Sequence, residues 1–136
     1  MANNVQISTA ARNAACDALT ALLDVGGTGT IEIRTGAQPA TPATADSGTL
    51  LATLTFAATA FGAAATGVCT AAAISSVSAG DTGTAGHFRM KNNAGTVVLQ
   101  GTCGLNSGTF DLEFDDTSII SGGTVDITAF TITVPE

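Results

Sequence analysis

The order of apolar and polar positions divides the chain into one helical stretch and a long region of strand period. Ala11, Ala15, Leu19, Leu22 and Leu23 recur at helical spacing, with Ala14 and Ala18 beside them. Arg12, Asn13, Asp17 and Thr20 fall mostly on the opposite side. Ser8 and Thr9 are cap candidates, because a hydroxyl accepts from the orphan N–H groups of a first turn. Gly26-Gly27 is the stop. Together these predict a single N-terminal α-helix over residues 9–24.

From Thr30 the period becomes two. Ile31 and Ile33 alternate with Glu32 and Arg34, as in a strand with one buried face. Residues 37–48 hold two prolines and no large apolar side chain, which predicts an exposed, stiff connection. Leu50, Ala52, Leu54 and Phe56 form the next inward set. Residues 57–67 are rich in Ala and Gly and fit helix or loop. A strand is expected over 68–77 and a turn over 79–85. Phe88 and Met90 then alternate with His87, Arg89 and Lys91. The segment Asn92-Asn93-Ala94-Gly95 turns the chain into a partner strand over 96–103.

After a turn at 104–108, Phe110, Leu112 and Phe114 alternate with Asp111, Glu113 and Asp115. Gly122-Gly123 turns once more, and Thr124–Val134 is the last strand. Its inward positions are Val125 and Ile127, then Phe130, Ile132 and Val134. That parity switch predicts a β-bulge near Thr128–Phe130, since a one-residue slip inverts the faces of a strand. The fold class expected is mainly β. It is a β-sandwich or jelly roll of about seven or eight antiparallel strands over 30–134, preceded by the helix.

At 136 residues the chain holds one domain, 1–136. Ala, Thr and Gly dominate it, Trp and Tyr are absent, and only 11% of residues are charged. Thr among small residues suits a pleated, half-buried sheet. Four Lys and Arg against eleven Asp and Glu give a net charge of -7. That argues against nucleic acid, whose phosphates attract basic side chains. It argues equally against an anionic membrane surface. A mean hydropathy of +0.39 argues against disorder. It also predicts apolar surface left for self-association, as a homodimer in preference to a trimer.

The first ten residues lack the basic and apolar regions of a secretory signal, and no run of 18 apolar residues could span a bilayer. Cys16, Cys69 and Cys103 are widely spaced and odd in number, without a Cys-x-x-Cys pair. They are expected to be small, buried, reduced thiols.

Three segments could carry chemistry. Asp24-Val-Gly-Gly-Thr-Gly-Thr30 resembles the phosphate loop of sugar kinases of the actin-like fold, but a helix stop before a strand is the better fit. Asp111, Glu113, Asp115, Asp116 and Asp126 supply the oxygen ligands a hard cation prefers. Lacking an Asp-x-Asp-x-Asp-Gly loop, they read instead as the solvated face of an amphipathic strand. His87, the only histidine, has no Gly-x-Ser-x-Gly elbow or nearby Cys to serve as base for. It is expected at an outward polar position. The six phenylalanines fall on inward faces and not on a base-stacking platform. No catalytic, metal-binding or cofactor-binding residue is expected, and no enzyme activity.

The order of segments carries a family likeness. Ile-Glu-Ile-Arg-Thr-Gly-Ala-Gln-Pro (31–39) and Gly-Thr-Leu-Leu-Ala-Thr-Leu (48–54) follow the Gly-Gly-stopped helix. Gly-Thr-Ala-Gly-His-Phe-Arg-Met (83–90) comes later. The chain then closes with Gly-Gly-Thr-Val-Asp-Ile-Thr-Ala-Phe-Thr-Ile-Thr-Val-Pro (122–135). This resembles small virion proteins of tailed bacteriophages, above all capsid cement or decoration proteins.

The resemblance implies a β-rich, non-enzymatic protein on the capsid exterior, assembled in the host cytoplasm. Its partners would be the major capsid protein and itself. The alternative is a receptor- or carbohydrate-binding fibre or tail accessory module, against which the lack of Trp and Tyr counts. A small hydrolase would need the nucleophile–base pair that the sequence lacks.

Overall fold

The structure is a computed structural model that describes residues 5–136. Helix α1 spans Thr9–Ala21 and tightens into a 3-10 turn over Leu22–Asp24. Ser8 caps it, its Oγ accepting from the Ala11 N–H at 3.2 Å. Gly26 and Gly27 then take φ of 80° and 130°, values that L side chains resist.

The helix docks with Thr20 and the half-buried Arg12 and Asn13 of the side assigned above to solvent, together with Leu23 and the half-buried Leu19 of the apolar stripe. Cys16, Thr20 and Leu23 are buried, while Ala11, Ala14, Ala15 and Ala18 are exposed and Leu22 is 52% exposed. The reason is backbone satisfaction. Arg12 Nε donates to the Val134 carbonyl at 2.7 Å, and Asn13 Oδ1 accepts from the Gly67 N–H at 2.7 Å. Asp17 Oδ1 accepts from the Ala64 N–H at 2.7 Å. Loop backbone buried against a helix needs such partners, and alanines cannot supply them.

Ten short strands follow: β1 (Thr30–Thr35), β2 (Leu50–Thr55), β3 (Val68–Thr70), β4 (Val77–Ser78) and β5 (Gly83–Lys91), then β6 (Val97–Leu105), β7 (Leu112–Phe114), β8 (Ser118–Ile119), β9 (Thr124–Val125) and β10 (Thr131–Thr133). The main sheet runs β2-β1-β5-β6-β7, with β8 on the start of β5. β10 pairs with β3, and β9 with β4. The fold is therefore mainly β with one N-terminal helix, in mixed sheets. One ladder, β6–β7, is parallel, which corrects the expectation of antiparallel pairing throughout.

The expected strand over 68–77 keeps only its ends, as β3 and β4. In β2 the register against β1 skips a residue, so Ile33 pairs with Ala52 and Arg34 with Leu50. Leu51 is thereby turned inward and fully buried, leaving Leu50 at 39% exposure. The inward set is thus Leu51, Ala52, Leu54 and Phe56.

One face of the sheet presents Ile31, Ile33, Phe88 and Met90 to the core. Four phenylalanines form a chain across it. Centroids lie 5.8 Å apart for Phe56–Phe61, 6.3 Å for Phe61–Phe130 and 5.4 Å for Phe88–Phe130, the last two edge-on. Gly101 sits opposite Phe88, where a Cβ would come within 2.7 Å of the ring. Phe110 departs from expectation at 42% exposure, because β7 begins only at Leu112.

The last segment keeps its predicted facing but not its predicted form. Val125, Ile127 and Phe130 are buried. However, residues 126–130 belong to no ladder, so the parity switch is a crossing between two strand pairs and not a β-bulge. β9 is drawn to β4 and β10 to β3, and in the chain between them the Phe130 carbonyl accepts from the Ala71 N–H at 2.9 Å while residues 126–129 make no backbone hydrogen bond to a described residue.

All three cysteines are buried and free. Burial pushes the Cys69 thiol up to about 12, with the neighbouring Cys16 adding to the effect. Burial, helped by Asp111, does the same for Cys103, also to about 12.

Two measurements test this core. Phe130→Ala should cost about 3–5 kcal/mol, and Asp126→Asn less than about 0.5 kcal/mol, in denaturant melts. The reverse order would refute the facing of residues 125–130. Thiol titration should find three free thiols in denaturant and almost no reaction in the native protein, since the thiolate is the reactive form.

Candidate functional site

The densest group of ionisable side chains lies on the sheet face opposite the aromatic core. Alternation in β1 and β5 puts Glu32, Arg34, His87, Arg89 and Lys91 there. Residues 37–48 fold back across this face as a strap. The expected open connection is thus exposed on its outside but covers the sheet beneath, with Pro39 buried.

Asp46 of the strap is the fastening point. Its Oδ1 accepts from Arg89 Nη1 at 2.6 Å, and its Oδ2 from Lys91 Nζ at 2.6 Å and Arg34 Nη2 at 3.1 Å. Glu32 closes the network, accepting from Arg34 Nε at 2.9 Å and Lys91 Nζ at 3.0 Å. Arg89 Nη2 also donates to the carbonyls of Pro42 and Thr44 at 2.7 and 2.8 Å. Gln100 Nε2 donates to the Pro39 carbonyl at 2.6 Å. The hydrogen bonds from Lys91 and Arg89, with the charges of Arg34 and Lys91, hold the Asp46 carboxyl below its ordinary range.

His87 is fully buried beneath the strap, which corrects the outward, solvated position expected of it. Its Nδ1 lies 3.0 Å from the Gly36 carbonyl, where the strap begins. The strand parity was read correctly; what the sequence could not show was a cover on the polar face.

The glycine-rich segment after the helix is a helix stop leading into β1. Asp24 Oδ1 accepts from the Ala60 N–H at 3.0 Å, and Asn93 Nδ2 donates to the Gly26 carbonyl at 2.8 Å. Both are ties between loops.

The five carboxylates of the acidic patch expected from the sequence divide into two kinds. Three shape turns: Asp111 accepts from the Thr102 N–H and hydroxyl at 2.8 Å each, and Asp116 from the Ser118 N–H at 2.8 Å. Glu113 accepts from the Thr109 N–H at 2.9 Å and the Phe110 N–H at 3.3 Å. Backbone hydrogen bonds, that of Phe110 foremost, lower the Glu113 carboxyl below its ordinary range. Asp115 and Asp126 are exposed and line the same two recesses, of about 430 and 370 Å³. Among the described residues no group of three or more His, Cys, Asp or Glu is placed to hold a metal ion. Nor is any helix there long and apolar enough to cross a membrane.

Comparison with family models, curated proteins and solved structures finds no match to this chain.

The Asp46 fastening makes a pH-dependent prediction. Its folded-state pKa is lowered, so its contribution is full above the unfolded value of about 3.9. It is lost as pH falls through the folded-state pKa. Asp46→Ala should cost about 1–3 kcal/mol at neutral pH, because Arg89 then lies buried without its carboxylate. In urea melts against pH, the gap between wild type and variant should narrow only in the acid range below about pH 4. A gap that is constant with pH would refute the charge-based fastening.

Proposed function

We propose that the chain is a non-enzymatic structural protein of a tailed-bacteriophage virion, a cement protein on the outside of the head shell. It would tie neighbouring copies of the major capsid protein together after assembly in the host cytoplasm. The observation that carries this reading is the use of the chain's cations. Arg34, Arg89 and Lys91 all fasten one loop to the sheet, and Arg12 fixes the helix to the C-terminal segment. Side chains that could do chemistry are engaged in rigidity, which a shell clamp requires. The order of sequence segments supplies the phage likeness. Many copies with modest individual contacts can hold a shell firmly, because linked contacts act at high effective concentration.

In this reading the sheets form a two-layered sandwich of jelly-roll type. The main sheet is one layer, and β3–β10 and β4–β9 contribute to the second. The exposed Ala11, Ala14, Ala15, Ala18 and Leu22 face of α1 favours a homodimer through the helices. Nucleic acid, membrane and cofactors have no part in it.

Cryo-EM of the virion should place the protein at capsid subunit junctions. Particles lacking it should rupture at lower temperature. Density confined to a fibre or the tail would replace the cement reading with that of a receptor- or carbohydrate-binding accessory. Light scattering of the purified protein should give a dimer mass, and Ala15→Glu, at the centre of the exposed helix face, should give a monomer.

A further inference from the structure

Three recesses lie in a row between two stretches of backbone. One wall is residues 110–116, including β7; the other is residues 123–131. The recesses measure about 430, 370 and 340 Å³, and neighbours in the row share lining residues. Buried apolar side chains form their floor, Leu112, Ile119, Val125, Ile127 and Phe130, and polar groups line much of the walls.

Both walls have backbone to offer. β7 is the last strand of the main sheet, hydrogen-bonded on one edge to β6. Opposite it, Asp126, Ile127, Thr128 and Ala129 make no backbone hydrogen bond to any described residue. Yet residues 124–134 are rich in Thr, Val, Ile and Phe, and Val125, Ile127 and Phe130 are all buried against the core. A segment with no ladder, facing a one-sided strand across a trough, has backbone groups free to pair with an added strand.

We infer that this trough accepts an extended, lysine- or arginine-bearing segment of a protein partner, added as a β-strand beside β7 and residues 126–129. Strand addition supplies the main-chain hydrogen bonds. Alternate side chains of the incoming segment meet the apolar floor and the rim.

The charge of the rim selects the partner. Asp115 and Asp126 stand there exposed, with no hydrogen-bond donor among the described residues. A second copy cannot match them with basic side chains. All four Lys and Arg of the chain are already paired, Arg12 with Glu136 and the other three with Glu32 and Asp46. The trough itself does not depend on the cement reading. That the segment belongs to a capsid subunit rests on that reading and deepens it.

The probe is a short peptide of alternating lysine and valine, titrated into nitrogen-15-labelled protein. In the free protein the amides of Ile127, Thr128 and Ala129 should exchange rapidly with solvent. Peptide should slow their exchange and shift their resonances and that of Glu113. A glutamate–valine peptide should do neither. Asp115→Asn/Asp126→Asn removes two carboxylates that bond to nothing in the fold, so it should fold normally and weaken peptide binding about tenfold. Asp81→Asn, outside the trough, should leave binding unchanged.

Amides of 127–129 already protected in dilute free protein, or peptide shifts confined elsewhere, would overturn the inference. So would protection that rises with protein concentration alone, since the occupant would then be a second copy. On virions the two proposals separate. A trough that is empty in shell-bound protein overturns the assignment of the segment to a capsid subunit and keeps the cement reading. Peptide bound in the trough of a protein absent from the shell does the opposite.

Discussion

Asp46 is the residue on which the polar half of the structure depends. Three cations gather on one face of β1 and β5, and an unpaired cation out of water is costly. Arg89, at 1% exposure, could not sit where it does unless carboxylates met it. Asp46 and Glu32 meet it and its neighbours, and the Pro42 and Thr44 carbonyls take guanidinium donors that would otherwise be orphaned. Because the neutralising carboxylate comes from the connection and not from the sheet, satisfying the charge also lays down the strap. A pair with one buried partner, Arg89, and one partly exposed partner, Asp46, contributes less to net stability than its geometry suggests, as desolvation of the guanidinium offsets much of the attraction. Its consequence here is specificity: one loop conformation matches three cations at once.

The same logic governs the helix. Its alanine stripe has helical spacing and little else to offer a partner in this chain, whereas Arg12, Asn13 and Asp17 reach backbone groups that no ladder pairs. Polar side chains therefore choose the docked face, and the alanines are left outward. A small domain with short strands has many backbone ends to satisfy, so side chains that cap them compete well against a weakly apolar stripe. The outward alanines are then left as exposed apolar surface.

Local patterns carried much of the architecture. The helix, its Ser8 cap and its Gly26-Gly27 stop, the alternation in β1 and β5, the hairpin at Asn92–Gly95 and the parity switch before Phe130 were all legible. Each depends on residues close together in sequence. Long-range partners were not legible. Nothing about Asp46 in a proline-rich connection marks it as the counter-ion of Arg89, because the sheet register and the path of the strap bring them together. Leu50 and Leu51 were exchanged for a related reason, since a skipped residue in a ladder is a property of two strands and not of one.

The sequence by itself determined the N-terminal helix and its stop, the alternation of β1 and β5 and the turn at Asn92–Gly95, which side chains are apolar, and that the acidic residues greatly outnumber the basic ones. Only the tertiary structure decided which of two possible helix faces is buried. It also decided that His87 lies under a cover and that Thr124–Val134 is shared between two strand pairs with bare backbone in the middle. Periodicity is set within a few residues by backbone geometry. The partner of a backbone group or a charge is set by whichever segment the rest of the chain can bring within hydrogen-bond distance.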